Sequence, residues 1–213
     1  ESETEKKLRL ANFTNETNLN NELELSIRKL QERQLDNGTW AWFSGDRESP
    51  YITIEIITGF GKLNKLGIEF SKDFKDSESK AVNWLNNYLK EEEKKQKEIN
   101  KERDIIPTYQ TIKAVYALSF YKEELKNHKF WIEKISDNIP TDNIQLQSMV
   151  ATILMRSNNS LADEILQSLQ ERLITQEKNF YYYKIENSPY WHSSPIETHV
   201  SAIEALRESG KYD

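Results

Sequence analysis

Residues 30–67 read LQERQLDNGTWAWFSGDRESPYITIEIITGFGKLNKLG, and residues 169–210 read LQERLITQEKNFYYYKIENSPYWHSSPIETHVSAIEALRESG. Both stretches begin with Leu-Gln-Glu-Arg and pass through aromatic residues. Both then reach Ser-Pro and end on an apolar-periodic run that a glycine closes. The chain therefore repeats one unit near each of its ends, and a unit of this length is typical of helical repeat proteins.

Each copy of the repeat predicts a helix, an aromatic turn and a second, capped helix. Leu30 is equivalent to Leu169 and Ser49 is equivalent to Ser194, with a longer connection in the second copy. We expect about four further helices between the copies, which makes an even number of helix pairs. Pairs joined by a recurrent turn favour a ring in which one helix of each pair lines the inside.

The rest of the chain has the same helical period, because apolar residues recur every three or four positions. These apolar stripes lie in segments 19–30, 52–66, 82–89, 109–120, 146–153, 161–173 and 196–206. Extended segments or small hairpins are expected only in the aromatic stretches 39–43 and 179–184. The charged run 90–103 predicts a solvated helix end and loop.

Helix start signals agree with this pattern. Ser49 and Ser194 each precede a proline, which supplies an N-cap hydroxyl and a first helical residue that needs no N–H partner. Glu197 stands at capping-box spacing from Ser194, and Asp163 stands likewise from Ser160. Glycines suited to end the helices stand at Gly67 and Gly210.

Composition excludes several classes of function. The chain has 213 residues and a net charge of −6, with no basic stripe for nucleic acid. No apolar run approaches the ~20 residues that span a bilayer. Cysteine is absent, which excludes disulfides, thiolate metal sites and a cysteine nucleophile within this sequence. The start at Glu1 predicts a piece of a longer protein.

The repeat pattern resembles the α/α-toroid domains, and within them the bacterial alpha-2-macroglobulin family. Residues 30–67 resemble that family's segment Leu-Gln…Asn-Gly-Gly-Trp-x-Trp-Phe-x-Gly…Ser-x-Tyr-Ile-Thr. The opening ESETEKKLRLANF resembles the stretch that precedes it, and YWHSSPIETHVSAIEAL resembles the family's aromatic-then-Ile-Glu-Thr-Gln element. The resemblance implies an all-α fold, in which residues 1–213 form a single α/α-toroid domain with short aromatic β-like turns.

The resemblance also implies a function. The chain would be a fragment of the thioester-containing domain of a protease trap in the bacterial cell envelope, periplasmic or otherwise extracytoplasmic. In that family a target protease cuts a bait region, and a shape change exposes a Cys–Gln thioester that captures the attacker. The implied partners are the other domains of the parent chain and, through the parent, target proteases.

Departures from the family pattern limit what carries over. The family's Cys-x-Glu-Gln motif precedes the region that begins here, and this chain has no cysteine with which to form the thioester. Thr39 replaces a common glycine, and His199 stands where the family usually has glutamine. No catalytic residue, metal ligand or cofactor site is therefore carried over, and we expect a domain without enzymatic activity.

The aromatic clusters are the first candidate site. Flat rings can stack on sugars or peptides, but recurrence at matched repeat positions favours a structural role at the ends of helix pairs. Any ring left exposed is a candidate contact with other domains of the parent. The residues concerned are Trp40, Trp42, Phe43, Tyr51, Phe180, Tyr181, Tyr182, Tyr183, Tyr190 and Trp191.

A second candidate is an acid/base set of His192, Glu197 and His199. Glu197 is better interpreted as a capping partner, and a helical histidine is more often packed than catalytic. In thioester proteins a nearby histidine can steer reactivity toward hydroxyls, but the spacing assigns no such role to His192 or His199. No metal-ligand spacing or known catalytic motif occurs.

An enzyme on the same architecture remains the alternative, such as a polysaccharide lyase or a terpene-cyclase-like protein. Cyclases need an Asp-rich acid motif and prenyltransferases need zinc ligands, and the sequence offers neither. A lyase needs a base and a charge-neutralising group that face one cleft. About eight to nine helices are expected where a six-pair ring needs about twelve, so an incomplete ring is predicted.

Overall fold

The computed structural model describes residues 2–5, 7, 16–68, 70–100, 104–176, 180–184 and 195–211. Within these residues the chain is mostly helical, which confirms the all-α prediction. A 3₁₀ turn spans Lys126–His128. The helices are α1 Glu16–Glu32, α2 Pro50–Lys65, α3 Lys72–Asn100, α4 Tyr109–Leu118, α5 Lys122–Leu125, α6 Lys129–Asp137, α7 Ile144–Arg156, α8 Leu161–Glu171 and α9 Pro195–Ser209.

Two short strands, β1 Ile174–Gln176 and β2 Phe180–Tyr182, form an antiparallel hairpin. In the register of this hairpin, Ile174 lies opposite Tyr182. This hairpin matches the expectation for the second aromatic stretch. The first aromatic stretch makes only an isolated bridge between Ala41 and Glu48.

The start of α2 follows the sequence signal, whereas the start of α8 does not. The hydroxyl of Ser49 accepts a hydrogen bond from Ile52 N at 3.3 Å. Ser160 has helical backbone angles and no capping bond, so the prediction of a capping box there is wrong. Asn158 has a φ of 58°, and after this turn the Asn159 side chain accepts from Leu161 N at 3.0 Å instead.

Gly67 ends α2 as predicted. Its φ of 76° is a left-handed conformation that costs glycine little. Gly67 N donates to Asn64 O at 3.0 Å, and Ile68 N donates to Leu63 O at 3.2 Å. These two bonds form a Schellman motif, which satisfies the last carbonyls of the helix.

The helices form two layers. In one layer α2 packs against α4, α4 against α7, and α7 against α9. In the other layer α3 lies against α2 and α4, α6 against α4 and α7, and α8 against α7 and α9, while α1 packs against α3. We call α2, α4, α7 and α9 the inner row. Each of α3, α6 and α8 therefore covers the groove between two neighbours of that row.

The core lies between the two layers. The middle helices of the inner row are buried nearly all round, since residues 111–118 of α4 and 147–154 of α7 are all buried. Their buried residues are largely apolar, as expected for core helices, but they include polar side chains such as Lys113 and Gln147. The largest fully buried side chains are Trp131, Phe74, Ile54, Ile57, Leu85, Leu89, Leu118, Ile135, Ile153, Leu154, Leu166 and Leu169.

The charged run that follows this core continues α3. Buried residues of α3 end at Leu89, and the helix runs on to Asn100. Lys97 pairs with Glu93 one turn earlier and lies 4.3 Å from the centroid of the Phe130 ring. The solvated helix end predicted for this run is therefore present, and the loop does not begin before residue 101.

The two copies of the repeat place an aromatic donor on the same backbone group. Trp40 Nε1 donates to Leu30 O at 2.7 Å, and Tyr183 O–H donates to Leu169 O at 2.9 Å. Leu30 and Leu169 are equivalent residues near the ends of α1 and α8, where carbonyls can accept from groups outside the helix, and Leu30 O also accepts from Arg33 N at 3.2 Å. Trp131 makes the same kind of bond with Leu89 O at 2.9 Å. In all three bonds an aromatic side chain ties a backbone carbonyl of one helix to a later segment of the chain.

Candidate functional site at the amino ends of the inner row

A polar cluster lies near the beginnings of α2, α4 and α9. Lys113 of α4 is buried, with 8% of its side chain exposed, and it forms an ion pair with Glu55 of α2. Glu197 of α9 lies close enough to act electrostatically on Lys113. Charge is expensive inside a protein unless it is paired, so the Glu55 ion pair and the nearby Glu197 carboxylate together make this buried lysine tolerable.

An aromatic column connects the buried lysine to the surface. Trp42, which is 55% exposed, stacks on Tyr51 with ring centroids 5.8 Å apart and ring planes 5° apart. The Lys113 ammonium lies 5.3 Å from the Tyr51 centroid and 5.5 Å from the Tyr109 centroid. Both distances suit cation–π attraction. We call Trp42, Tyr51, Glu55, Tyr109, Lys113 and Glu197 the amino-end cluster.

Helical spacing explains how two elements supply most of this cluster. Tyr51 and Glu55 are four residues apart on α2, and Tyr109 and Lys113 are four apart on α4. Residues at this spacing lie on one helix face. Because α2 packs against α4, the two pairs face one another.

Burial sets the protonation states of the cluster. Burial, followed by the charges of Tyr51 and Glu197, raises the pKa of Tyr109 to about 12. Burial, followed by Glu197, also raises the pKa of Tyr51. Burial lowers the pKa of Lys113, an effect that the Glu197 carboxylate opposes. Both phenols are therefore protonated at neutral pH and can donate hydrogen bonds.

The cluster combines an open aromatic face with two protonated phenols and a buried ion pair. The exposed Trp42 ring can stack on a flat ring or sugar face, whereas the Tyr109 hydroxyl is buried within the cluster. Across the described ranges, no group of three or more His, Asp or Glu side chains could hold a metal ion.

The aromatic residues that the sequence singled out have different environments. Trp40 is 2% exposed and packs edge-on against Phe60. Phe43 is 73% exposed and Tyr182 is 38% exposed, so both lie at the surface outside the cluster. The predicted residues that fall outside the described part of the chain are Tyr190, Trp191, His192 and Ser194.

The structure separates the histidine from the glutamate of the proposed acid/base set. His199 Nδ1 donates to Pro195 O at 2.6 Å, and His199 Nε2 accepts from Tyr183 N at 3.1 Å. His199 therefore fastens the end of the hairpin to α9. Two residues along a helix correspond to about 200° of rotation, and Glu197 faces the amino-end cluster instead. His199 and Glu197 do not form an acid/base pair.

The sequence analysis missed Glu55, Tyr109 and Lys113. A signal for two of them exists, because Lys113 and Glu55 are lone charges inside apolar runs, IKAVYAL and ITIEII. A lone charge at a core-facing position needs a partner. A search for such charges would have found both residues, although it could not have paired them.

A second polar junction lies at the carboxyl ends of the inner row. Arg156 of α7 binds Glu208 of α9 through two hydrogen bonds of 2.9 and 2.8 Å, and it donates to Ser119 Oγ at 2.7 Å. Lys62 and Lys65 of α2 pair with Glu204 and Glu208 of α9. Cations are favoured at helix carboxyl ends because the helix dipole is negative there.

No protein-family model, curated protein or solved structure matches this chain. Among the described residues, no helix has the length and apolar character needed to cross a membrane.

Proposed function

We propose that this chain is a non-enzymatic α/α-toroid domain of an alpha-2-macroglobulin-like endopeptidase inhibitor. It would serve as a scaffold within a larger, multi-domain protease trap of the bacterial cell envelope. Any thioester chemistry would belong to a segment that precedes this sequence in the parent. The partners are the other domains of the parent and, through them, target proteases.

The observation that carries the proposal is the matched pair of aromatic tethers. The motif that gives the family resemblance contains Trp40, whose indole is engaged with Leu30 O. In the second copy, Tyr183 is engaged with Leu169 O. Rings that are buried and hydrogen-bonded in this way hold helix pairs together and are not available to a substrate. This favours a building-block role for the repeat, as the family resemblance implies.

The arrangement of the helices supports a toroid as the finer description of the fold. An outer helix between each two neighbours of the inner row is the order expected of helix pairs in a ring. The ends of the row also approach each other, since Lys62 Nζ lies 2.7 Å from Glu204 Oε1 and Lys65 Nζ lies 2.5 Å from Glu208 Oε2. On this proposal α2, α4, α7 and α9 are the inner helices of the ring.

A polysaccharide lyase is the second candidate, and the amino-end cluster is the observation that favours it. Lys113 would neutralise a carboxylate and Trp42 would stack on a sugar face, while Tyr109 would act on a substrate proton only if the substrate reached its buried hydroxyl. Lys113 is already paired with Glu55, however. The scaffold proposal therefore stays first.

The test uses the full-length protein that contains this sequence, mixed with a broad-specificity protease. A trapped protease is shielded, so we expect cleavage of a large protein substrate to fall while cleavage of a small peptide substrate persists. Equal cleavage of both substrates at all ratios contradicts the proposal. Variants Tyr109→Phe and Lys113→Met should leave trapping unchanged, and release of unsaturated sugars by the wild type alone would favour the lyase.

Intact mass with and without methylamine tells two forms of the trap apart. A methylamine adduct together with one newly reactive thiol means a live thioester in the preceding segment. Trapping without an adduct means that the parent holds its protease without covalent capture. If the full-length protein shows neither trapping nor a methylamine adduct, the proposed function is contradicted.

A further inference from the structure

Helix α9 presents an apolar stripe that no described element covers. Its residues are spaced by four and three, which places them along one face of the helix. The opposite face is buried, and α9 packs against α7 and α8. The exposed fractions are 78% for Ile196, 44% for Val200 and 54% for Ile203. Neighbouring exposed apolar side chains of this size typically mark a contact surface.

The stripe leads into a groove at the carboxyl-end junction. This groove has a volume of about 430 Å³, and Ile203 lines it together with Leu66, which is 75% exposed. Tyr116 and Phe120 contribute aromatic surface to the same groove. Apolar contact surface therefore continues from the middle of α9 to the end of α2.

Positive charge borders this apolar surface. Lys62, Lys65, Arg156 and Arg207 line the groove together with only two carboxylates, Glu204 and Glu208. Both carboxylates are already engaged by the lysines and Arg156. Arg207 follows Ile203 by four residues, so it lies on the line of the stripe, and it makes no ion pair with any described residue. The groove therefore has four cationic groups against two carboxylates, and Arg207 is the cation that is left without an ion pair among the described residues.

We propose that the α9 stripe and this groove form a docking site for an acidic amphipathic helix of a partner protein. The partner's apolar residues, spaced by three and four, would pack against Ile196, Val200 and Ile203, as in helix-in-groove recognition. Its carboxylates would lie beside Arg207 and the groove lysines. A second copy of this chain would bring two cation-rich grooves together, so charge favours the acidic partner.

This docking site does not depend on the protease-trap function. Helix binding by the isolated chain and protease trapping by the full-length protein are measured separately, so failure of one leaves the other standing.

The experiment uses two fluorescent helical peptides with the same leucine spacing. One peptide has glutamate and the other has lysine at the remaining charged positions. Binding to this chain is followed by fluorescence anisotropy. We expect the glutamate peptide to bind at least tenfold more tightly than the lysine peptide, and added salt to weaken its binding.

Three variants locate the site. The double variant Val200→Glu/Ile203→Glu should weaken glutamate-peptide binding at least tenfold, and Arg207→Glu should reduce or reverse the preference between the peptides. Ile99→Glu is the matched control, because Ile99 is 65% exposed on α3 and lies outside the stripe. It should leave binding unchanged. If circular dichroism shows that the double variant fails to fold, the charge change at the exposed residue Arg207 decides.

Several results overturn the proposal. These are equal affinity for the two peptides, no binding of the glutamate peptide at millimolar protein, and unchanged binding in folded stripe variants. A dimer in sedimentation velocity that Ile203→Glu dissociates would assign the surface to a second copy of this chain and would also overturn it.

Discussion

At the scale of single residues, Gly38 is the position of the aromatic turn that has the least room for a side chain. Its φ is +87°, and a Cβ added there would lie 2.7 Å from the carbonyl oxygen of Lys80 on α3. Gln34 holds the same turn, because its side-chain nitrogen donates to Gly38 O at 3.0 Å and to Ser77 O at 2.9 Å. The Asn37-Gly38 pair of the first copy therefore allows the backbone of the turn to approach α3 closely.

Gly38→Ala should lower the free energy of unfolding by about 2–4 kcal/mol, because strain at positive φ adds to the clash with α3. Gly45→Ala is the control, since Gly45 has a φ of +86° and nothing within 4 Å of an added Cβ. It should cost only about 1 kcal/mol. Urea unfolding of both variants measures the difference. Equal losses would mean that the contact with Lys80 carries no energy.

His128 is a second residue whose environment determines a measurable property. It is 1% exposed, and its Nε2 lies 2.8 Å from Asn86 Oδ1. Since Asn86 Nδ2 donates to Glu124 at 2.9 Å, Asn86 Oδ1 accepts and His128 Nε2 donates. His128 Nδ1 has no hydrogen-bond partner among the described residues. Burial, followed by Lys90, lowers the pKa of His128, and Glu93 and Glu124 oppose this effect.

We expect the free energy of unfolding to fall as the pH drops below about 6.5, the pKa of an unfolded histidine. The unfolded chain then binds a proton that the folded chain resists, so unfolding is favoured by up to about 1.4 kcal/mol per pH unit. Urea unfolding at pH 7.5 and 5.5 should give a smaller pH dependence for His128→Gln than for the wild type. An identical dependence would assign the effect to other groups.

At the scale of elements, the sequence predicted the long helices well and the short ones poorly. Stripes of four or more apolar residues, as in α2 and α4, gave correct helices. The stripes did not predict α5 and α6, since a four-residue and a nine-residue helix give few turns of pattern. Trp131 of α6 is nevertheless central to the core. Its role comes from packing and a hydrogen bond to α3, which a local pattern does not contain.

The contact between α2 and Phe120, which follows the end of α4, provides a prediction at this scale. An added Cβ at Gly61 would lie 2.4 Å from Cγ of Phe120, whereas one at Gly59 meets nothing within 4 Å. Gly61→Ala should therefore destabilise the protein by about 1–3 kcal/mol. Gly59→Ala should stabilise it by about 0.5–1 kcal/mol, because alanine is the better helix former. Thermal unfolding of the pair is the measurement, and stabilisation by both changes would refute the close approach.

Prediction of the helices alone was not enough to predict the candidate site. Helical spacing could predict that Tyr51 and Glu55 share a face, and that Tyr109 and Lys113 share another. The partnership of Lys113 with Glu55 required the packing of α2 against α4. Glu197 illustrates the same limit: its sequence position predicted a cap, and the fold brings it to Lys113.

At the scale of the whole molecule, Arg156 connects the inner row. Its guanidinium, in a side chain that is 7% exposed, reaches Glu208 of α9 and Ser119 beyond α4. It also lies 3.9 Å from the Phe120 ring centroid. Burial raises the pKa of Glu208, but hydrogen bonds from Arg156 and Lys65 hold it below its ordinary value overall. The charged form of Glu208 is thus part of the folded state.

Arg156→Ala should lower the free energy of unfolding by about 3 kcal/mol, since it leaves the Glu208 carboxylate partly buried without its bidentate partner. Lys62→Ala is the control. Its pair with Glu204 is 37% and 34% exposed, so its loss should cost less than about 1 kcal/mol. Urea unfolding gives the energies, and hydrogen exchange should show faster exchange in α9 for Arg156→Ala. Equal effects would mean that the junction does not hold α9 in place.

The two aromatic tethers have a consequence for how such repeats are recognised. One copy uses an indole and the other a phenol, at different distances along the chain from the leucine that each one binds. An alignment that rewards identical letters at fixed spacing would score this pair as a mismatch. What the two copies have in common is the acceptor: in each, an aromatic side chain donates a hydrogen bond to the carbonyl oxygen of the equivalent leucine. Duplicated units of this kind are better recognised by the backbone acceptor that is bound in each copy than by the type of residue that binds it.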